Sequence, residues 1–170
     1  MGGISNNRES LNRALKKIST ILNKSTINDW FISYGTLLGI IREESCIEGD
    51  DDVDINISVL DRMQLYFLLI GNGFEIWIDR PDFIKTIPTE DVGSIDFYFC
   101  KMNQEICEDT WNKIIWNNYK NKDGDFLNKE WDGAILNIPF NPEDKLKAKY
   151  GNWKVPSEGN MGGDSPYNLP

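Results

Sequence analysis

The chain has 170 residues, of which 40% are hydrophobic and 12% aromatic, and its formal net charge at pH 7 is −9. This composition is typical of one folded domain with an apolar core, and the negative charge argues against nucleic acid as a partner. The sequence contains no histidine, which excludes Ser-His-Asp catalysis, Cys-His catalysis and histidine-ligated metals.

Helix and strand patterns alternate along the first half of the chain. An amphipathic helix is predicted at about residues 8–24, followed by an aromatic strand at 29–35 and a helix at 36–44. Residues 52–58 alternate between polar and apolar side chains, which is the period of a strand, and 59–73 form another helix that ends at a Gly-Asn-Gly turn. The apolar face of the first helix consists of Leu11, Leu15, Ile18 and Leu22.

Strand patterns dominate the second half of the chain. Two short runs on either side of Pro81 predict a hairpin, and residues 93–102 predict a longer strand. Shorter strands are expected within 111–119 and 133–140. We interpret Asp123-Gly124, which lies between these two segments, as a hairpin turn.

The chain closes with a helix and a tail of a different composition. Asn141 followed by Pro142 is a typical helix start, and residues 156–170 are rich in Gly, Pro and Ser and are expected to be irregular. The sequence thus predicts a single mixed α/β (α+β) domain over residues 1–170, with a core at about 29–155 behind the N-terminal helix.

The sequence also gives expectations about location and redox state. It has no apolar run approaching ~18 residues and no basic-then-apolar signal at its start, so we expect a cytoplasmic protein without a membrane span. An odd number of cysteines without metal-ligand spacing favours free thiols. These cysteines are Cys46, Cys100 and Cys107.

Carboxylates are concentrated at the start of the strand predicted at 52–58. Asp52 and Asp54 share one face, ~7 Å apart at the backbone, so their side chains can converge on Mg²⁺ (or Mn²⁺), whose charge offsets their mutual repulsion. Asp50 and Asp51 alone are equally typical of a solvated acidic loop. An EF-hand calcium loop is a poor match, because Ile55 stands where that loop requires glycine.

A possible phosphate site precedes the acidic strand. A strand that ends at Gly35 and turns into a helix at Thr36 can present backbone N–H groups and a hydroxyl to an anion. Arg42, further along the same helix, could pair with phosphate oxygens. Taken singly, these residues are also typical of an ordinary helix start and of a surface arginine.

Asp96 is the third candidate acid. It lies among apolar and aromatic residues in the strand predicted at 93–102, where an unpartnered carboxylate is energetically costly. If this strand lies beside the acidic strand, Asp96 completes a metal-binding triad and could activate an attacking hydroxyl. The alternative is a buried acid bonded to backbone or to a lysine such as Lys85 or Lys101.

The combination of these segments resembles the LicD/fukutin family of phosphotransferases, within the nucleotidyltransferase-fold superfamily. The family pattern is a Gly-Thr-Leu-Leu-Gly turn and helix, an arginine, and an Asp-x-Asp-hydrophobic-Asp strand. A later aspartate strand and a closing Tyr-Gly-x-Trp element are similar to "SIDFYF" and "YGNW" in this chain. The matching positions are Gly35, Thr36, Leu37, Leu38, Gly39, Arg42, Asp50, Asp52, Asp54, Asp96, Tyr150, Gly151 and Trp153.

This resemblance implies a nucleotidyltransferase-like mixed sheet flanked by helices and a metal-dependent transfer reaction. The expected reaction moves a phospho-alcohol, such as phosphocholine or ribitol phosphate, from a CDP-type donor to a sugar hydroxyl in glycan modification. By resemblance, the metal ligands and catalytic residues are Asp52, Asp54 and Asp96, with Mg²⁺ or Mn²⁺ as cofactor. The residues that bind the substrate phosphates are Gly35, Thr36, Arg42 and Asp50.

The chain departs from the family pattern near the expected substrate entrance. Glu48-Gly49 replaces a Pro-Trp pair, and Glu43-Glu44 follows the arginine where a basic residue is common. These acids are expected to weaken binding of an anionic substrate. They leave two alternatives open, namely a nucleotidyltransferase that adds a nucleoside monophosphate to a small molecule or protein, and an inactive nucleotide- or sugar-phosphate-binding module.

Overall fold

The computed structural model describes residues 7–156 and 167–170. Within these residues the chain forms four α-helices, ten strands and one short 3-10 turn at Val59–Asp61. The helices are α1 (Arg8–Lys24), α2 (Tyr34–Glu43), α3 (Arg62–Gly71) and α4 (Pro142–Tyr150). The strands are β1 (Trp30–Ile32), β2 (Val53–Ser58), β3 (Ile76–Arg80), β4 (Phe83–Thr86), β5 (Ile95–Met102), β6 (Ile106–Asp109), β7 (Ile114–Asn117), β8 (Leu127–Trp131), β9 (Ala134–Ile138) and β10 (Asn168–Leu169).

Eight of these strands form one mixed sheet, and β8 and β9 form a separate hairpin. Strand β5 is the centre of the sheet, because it pairs in parallel with β2 along one edge and antiparallel with β4 and then β6 along the other. The sheet therefore branches at β5 and curls. This arrangement confirms the predicted α+β fold in a single compact domain.

Helix α1 forms where the hydrophobic pattern predicts it. Asn7 caps the helix by accepting a hydrogen bond from Ser10 N at 2.8 Å, and Ser10 Oγ accepts one from Asn7 N at 3.0 Å. Such a reciprocal cap satisfies two backbone donors that the first helical turn leaves unpaired. The predicted apolar face is confirmed, since Leu11, Leu15, Ile18 and Leu22 are all fully buried.

Strand β2 is buried on both faces. Val53, Ile55 and Ile57 alternate with polar residues as predicted, but all six residues of the strand are buried. The polar face of β2 therefore lies inside the protein rather than in water, and its polar groups require partners. This burial sets the conditions for the acidic site described below.

Several sequence expectations about element boundaries are wrong. The first strand does not reach Gly35, since β1 ends at Ile32 and α2 begins at Tyr34. The turn at Asp123-Gly124 joins β7 and β8, which do not pair; the hairpin partner of β8 is β9, and its turn lies at Asp132-Gly133. The predicted hairpin around Pro81 is confirmed as β3 and β4.

Strands β6, β8 and β10 have no counterpart among the predicted elements. Strand β10 falls in the tail expected to be irregular and pairs in parallel with β7, whereas residues 157–166 of that tail lie outside the described residues. In the described part of the chain, no helix is long and apolar enough to cross a membrane. The three cysteines are free, as predicted, and all three are buried.

Candidate active site

The sheet register places two of the predicted acids side by side. Asp54 on β2 is the direct neighbour of Asp96 on β5 in the parallel pairing, so both side chains point to the same face of the sheet. Asp52 lies just before β2 and is 9% exposed, and Asp54 and Asp96 are each 6% exposed. The structure therefore brings these three acids together, although their catalytic and metal-binding roles stay predictions.

Lys85 lies between two of these acids. It stands directly opposite Asp96 in the antiparallel pairing of β4 and β5. Its Nζ is 2.6 Å from Asp52 Oδ2 and 2.8 Å from Asp96 Oδ1. Asp96 is thus a buried acid paired with Lys85, which was the alternative raised from the sequence, and the lysine offsets part of the repulsion between the acids.

The start of helix α2 holds Asp54 in place. Gly35 N donates a hydrogen bond to Asp54 Oδ2 at 3.0 Å, and the Tyr98 hydroxyl donates to Asp54 Oδ1 at 2.9 Å. Asp54 N donates in turn to Thr36 Oγ1 at 2.8 Å. A carboxylate at a helix N-terminus is stabilised by unpaired N–H groups and by the helix dipole.

The first two residues of α2, Tyr34 and Gly35, both have unusual local geometry. A Cβ atom on Gly35 would lie 2.5 Å from Asp50 Oδ2 and 3.4 Å from Asp54 Oδ2, so glycine alone fits this approach without a shift. Tyr34 begins the helix in the left-handed region, with φ of 44°, which is strained for a tyrosine. Its hydroxyl donates to the buried Asp109 Oδ2 at 2.5 Å, a contact that fixes the ring.

The carboxyl groups of Asp50, Asp54 and Asp96 are shifted toward their protonated forms. Burial, followed by the charge of Asp52, raises the pKa of Asp50 to about 6 and that of Asp96 to about 7. Burial and the neighbouring acids, Asp52 foremost, raise the pKa of Asp54 well above its usual range. Burial alone would lower the pKa of Lys85, but its contacts with Asp52 and Asp96 outweigh burial and raise that pKa, which favours the charged ammonium.

The donor set fits a hard divalent cation. Carboxylate oxygens of Asp50, Asp51 and Asp52 lie within 4.8 Å of one another. Asp54 and Asp96 adjoin this group, so the carboxylates outnumber the single ammonium of Lys85. Oxygen ligands in an anionic, largely buried setting are what Mg²⁺ and Mn²⁺ prefer.

A cavity of about 340 Å³ is lined by Asp50, Asp51, Asp52 and Asp54. One wall carries the carboxylates, and the other is formed by aromatic and basic side chains that no sequence motif indicated, apart from Tyr150. Lys149 Nζ lies 5.0 Å from the centre of the Tyr34 ring and 5.4 Å from that of Tyr150. Burial lowers the pKa of Lys149, while Asp54 and Asp109 oppose that shift.

Two signals in the sequence could have indicated part of this wall. Tyr98 is two residues after Asp96 on a strand and therefore shares its face. Lys149 directly precedes Tyr150 of the closing motif. Asn112 has no comparable signal; its backbone and side chain both donate to Asp109, at 3.0 and 2.9 Å, which places it at the rim.

Two residues predicted to bind phosphate are not presented to this cavity. Thr36 is 1% exposed and uses its oxygen to hold Asp54 N, so it positions the acidic strand. Arg42 donates to Glu43 Oε1 and to Trp153 O, and its side chain lines a different cavity together with Arg8 and Glu48. Gly35 and Asp50, by contrast, do line the acidic cavity.

The extra acids of the sequence also lie away from the acidic cavity. Glu43 pairs with Arg42 and Arg8, at 2.5 and 3.1 Å, and Glu44 pairs with Lys129 at 2.8 Å. Glu48 is 3.5 Å from Arg8. The expectation that these three acids border the substrate entrance is therefore wrong for the cavity over Asp54, and their charges are largely matched by basic partners.

Comparisons with known proteins identify a family for the chain. The sequence profile of a family described as "LicD/FKTN/FKRP, nucleotidyltransferase domain" matches residues 28–144. No curated protein sequence matches the chain.

Two solved structures share the fold at low sequence identity. The lincosamide antibiotic adenylyltransferase LnuA, bound to lincomycin, superposes with a TM-score of 0.55 at 14% identity, covering 79% of this chain and 82% of that one. The structure of ANT(2″)-Ia in complex with adenylyl-2″-tobramycin gives a TM-score of 0.51 at 12% identity, covering 74% of this chain and 66% of that one. These similarities establish the nucleotidyltransferase fold.

Proposed function

Because the chain belongs to the LicD/FKTN/FKRP nucleotidyltransferase-domain family, we propose that it is a metal-dependent transferase acting in glycan modification. The proposed reaction moves a phospho-alcohol, of the phosphocholine or ribitol-phosphate kind, from a CDP-type donor to a sugar hydroxyl. Its class, a transferase of phosphoryl or nucleotidyl groups, follows from the family. The donor and the acceptor are the parts that we propose.

One observation carries the proposal: buried carboxylates converge at the N-terminus of α2 beside an open cavity. Asp54 and Asp96 are strand neighbours, and Asp52 is joined to Asp96 through Lys85. Repulsion among so many buried carboxylates is unfavourable unless cations offset it, and Lys85 is a single positive charge. The cavity beside these carboxylates can hold the pyrophosphate end of a nucleotide donor.

We propose that Asp52, Asp54 and Asp96 hold the divalent cation. When bound, the cation would neutralise charge that develops on the leaving nucleotide during phosphoryl transfer. The hydrogen bonds from Gly35 N and from the Tyr98 hydroxyl fix both oxygens of Asp54 before substrate arrives. A preorganised ligand of this kind does not have to reorient during the reaction.

The opposite wall of the cavity supports the binding of donor phosphate. Lys149 lines the cavity together with the carboxylates and supplies a positive charge there, whereas the space beside Gly35 is taken by Asp50 and Asp54. The rings of Tyr34 and Tyr150 border the same space and offer faces for a base or sugar. Thr36 and Arg42 have no direct contact with donor in this proposal.

Proton transfer from the acceptor hydroxyl is assigned to a carboxylate of the cluster. Asp50 lines the cavity, so its carboxylate can reach an acceptor hydroxyl bound there. Asp96, predicted from the sequence to align the acceptor, pairs with Lys85 and is not among the residues that line the cavity. We therefore propose that Asp50 accepts the proton of the acceptor hydroxyl and that Asp96 binds the cation.

The test combines ligand binding with one substitution. Thermal-shift measurements with cytidine, uridine and guanosine diphospho-compounds should show the largest stabilisation for a cytidine donor, and only with Mg²⁺ or Mn²⁺. Asp54→Asn should lose about 10²–10³-fold in turnover, since it removes a charge at the reacting centre but keeps the shape of the side chain. The asparagine amide can still accept from Gly35 N and donate to the Tyr98 oxygen. The matched control, Asp132→Asn, lies in the exposed β8–β9 turn with φ of 46°, which asparagine tolerates, and should keep full activity.

The competing functions give different outcomes in the same assay. A nucleotidyltransferase, which the family description also names, would leave a nucleoside monophosphate on the acceptor, and the product mass would show it. An inactive binding module would bind nucleotide without turnover. A protein that no nucleotide stabilises in either metal would contradict the transferase proposal.

A further inference from the structure

We propose that Lys85 is a resident counter-cation of the acidic site, which a divalent ion must displace in order to bind. The inference rests on the metal site of the proposed function and adds a residue that sets its cation affinity. Lys85 is not a member of the aspartate motif and comes from β4. Its effect would be to keep the site folded without metal and to reduce the affinity for metal.

The position of Lys85 is fixed by strand pairing. The β4–β5 register sets Lys85 opposite Asp96, and the β2–β5 register sets Asp96 beside Asp54. The lysine is therefore held over the acids by backbone hydrogen bonds on both sides of β5. Its side chain is 15% exposed, so the ammonium is largely withdrawn from water.

The ammonium occupies the place where two proposed metal ligands meet. Nζ lies 2.6 Å from Asp52 Oδ2 and 2.8 Å from Asp96 Oδ1. The Asp96 contact has the distance of an ion pair, but Asp96 Oδ1 receives no hydrogen bond of good geometry among the described residues. A buried carboxylate oxygen of this kind can still act as a ligand of a cation.

A divalent ion and the ammonium cannot share these oxygens at close range. Like charges separated by about 4 Å repel one another strongly in a protein, where the dielectric constant is lower than in water. Binding of the ion to Asp52 and Asp96 therefore requires that Lys85 Nζ withdraw toward the cavity or solvent. The free energy of the two ion pairs is lost in that exchange, which weakens the observed metal affinity.

The experiment compares metal binding and stability in Lys85→Met and wild type, without nucleotide. Calorimetric titration with Mn²⁺ should give about tenfold tighter binding for Lys85→Met, because a competing charge has been removed. The melting temperature without metal should fall below that of wild type, since Asp52 and Asp96 lose their partner. Saturating Mn²⁺ should raise it by more than it raises the wild-type value.

Lys120→Met is the matched control. Lys120 Nζ lies 2.6 Å from Asp29 Oδ1, and its side chain is also 15% exposed, but it lines a different cavity. This variant loses one ion pair, to the half-exposed Asp29, and should keep the wild-type Mn²⁺ affinity. A gain of affinity in both variants would mean that net charge alone is responsible and would overturn the inference.

A second variant keeps the test decisive if the methionine disrupts folding. Lys85→Gln retains a hydrogen-bond donor without the charge and should also bind Mn²⁺ more tightly. Wild-type or weaker affinity in a folded variant, or no Mn²⁺ binding by any of the proteins, refutes displacement. The transferase proposal is judged separately by donor turnover, so wild-type turnover with unchanged Mn²⁺ affinity in Lys85→Gln would reject only the role of Lys85.

Discussion

A side chain at position 35 would displace the carboxylate of Asp50. Its Cβ would lie 2.5 Å from Asp50 Oδ2, a side-chain atom that can move aside, so Gly35→Ala should fold with little change in stability. The displaced Asp50 carboxylate would no longer face the cavity as it does now. We expect turnover to fall by about tenfold or more while the melting temperature stays close to wild type.

Gly71→Ala is the control for that substitution. Gly71 is the last residue of α3, and a Cβ there would meet no atom within 4 Å. Alanine should leave turnover unchanged and slightly raise the melting temperature, because it lowers the entropy of the unfolded chain. Full activity in Gly35→Ala would show that the position of Asp50 is unimportant and would argue against its role as proton acceptor.

The helices and the central strands follow from sequence patterns, because each has an apolar face with a clear period. The pattern of α1 and the alternation in β2 and β5 were sufficient to place these elements. Strand β6 has only four residues, two of them acidic, and β10 has two residues. Their strand conformation comes from pairing with β5 and β7, which local propensity does not encode.

The sequence likewise predicts one part of the site, while the other part depends on tertiary structure. Alternation predicts that Asp52 and Asp54 share a face, and the apolar setting of Asp96 predicts a need for a partner. The identity of that partner depends on the register between β4 and β5, which a single sequence does not specify. Lys149 reaches the cavity through the packing of α4 against α2, a tertiary contact without a local signal.

Helix α4 is anchored by a buried lysine whose titration can be measured. Lys145 is 1% exposed, and its Nζ donates to the backbone oxygens of Phe140 and Pro170 at 2.7 and 2.5 Å. Burial lowers its pKa from 10.5 to about 8. The folded state holds this proton less tightly than the unfolded state. The free energy of unfolding should therefore rise as pH increases from about 8 to 10.5, and this gain is absent below about pH 8.

Urea unfolding of wild type and Lys145→Met at about pH 7.5 and 9.5 tests this linkage. The free energy of unfolding of wild type should increase relative to Lys145→Met by up to about 2 kcal/mol over this interval. Lys147→Met, which removes an exposed lysine from the same helix, should follow the wild-type profile. An equal pH dependence in wild type and Lys145→Met would mean that the buried lysine does not change its charge in this range.

The charge of the whole molecule opposes its proposed substrate. The chain has 27 acidic and 18 basic residues, so an anionic nucleotide donor approaches a protein of the same sign. Screening of that repulsion should help association, since the Debye length shrinks from about 30 Å at 0.01 M salt to about 8 Å at 0.15 M. This behaviour is the reverse of the electrostatic steering seen when enzyme and substrate carry opposite charges.

We therefore expect kcat/KM for the donor to rise by about twofold to threefold between these salt concentrations at fixed, saturating Mg²⁺. The value of kcat should change little, because the buried carboxylates and Lys85 are shielded from salt by the protein. A neutral sugar acceptor, varied at saturating donor, supplies the control, since its kcat/KM should not depend on salt. A steep fall of kcat/KM for the donor with added salt would instead mean that Lys149 and the bound cation dominate the electrostatic potential at the cavity mouth. In that case the net negative charge of the chain would not influence the rate at which the donor binds.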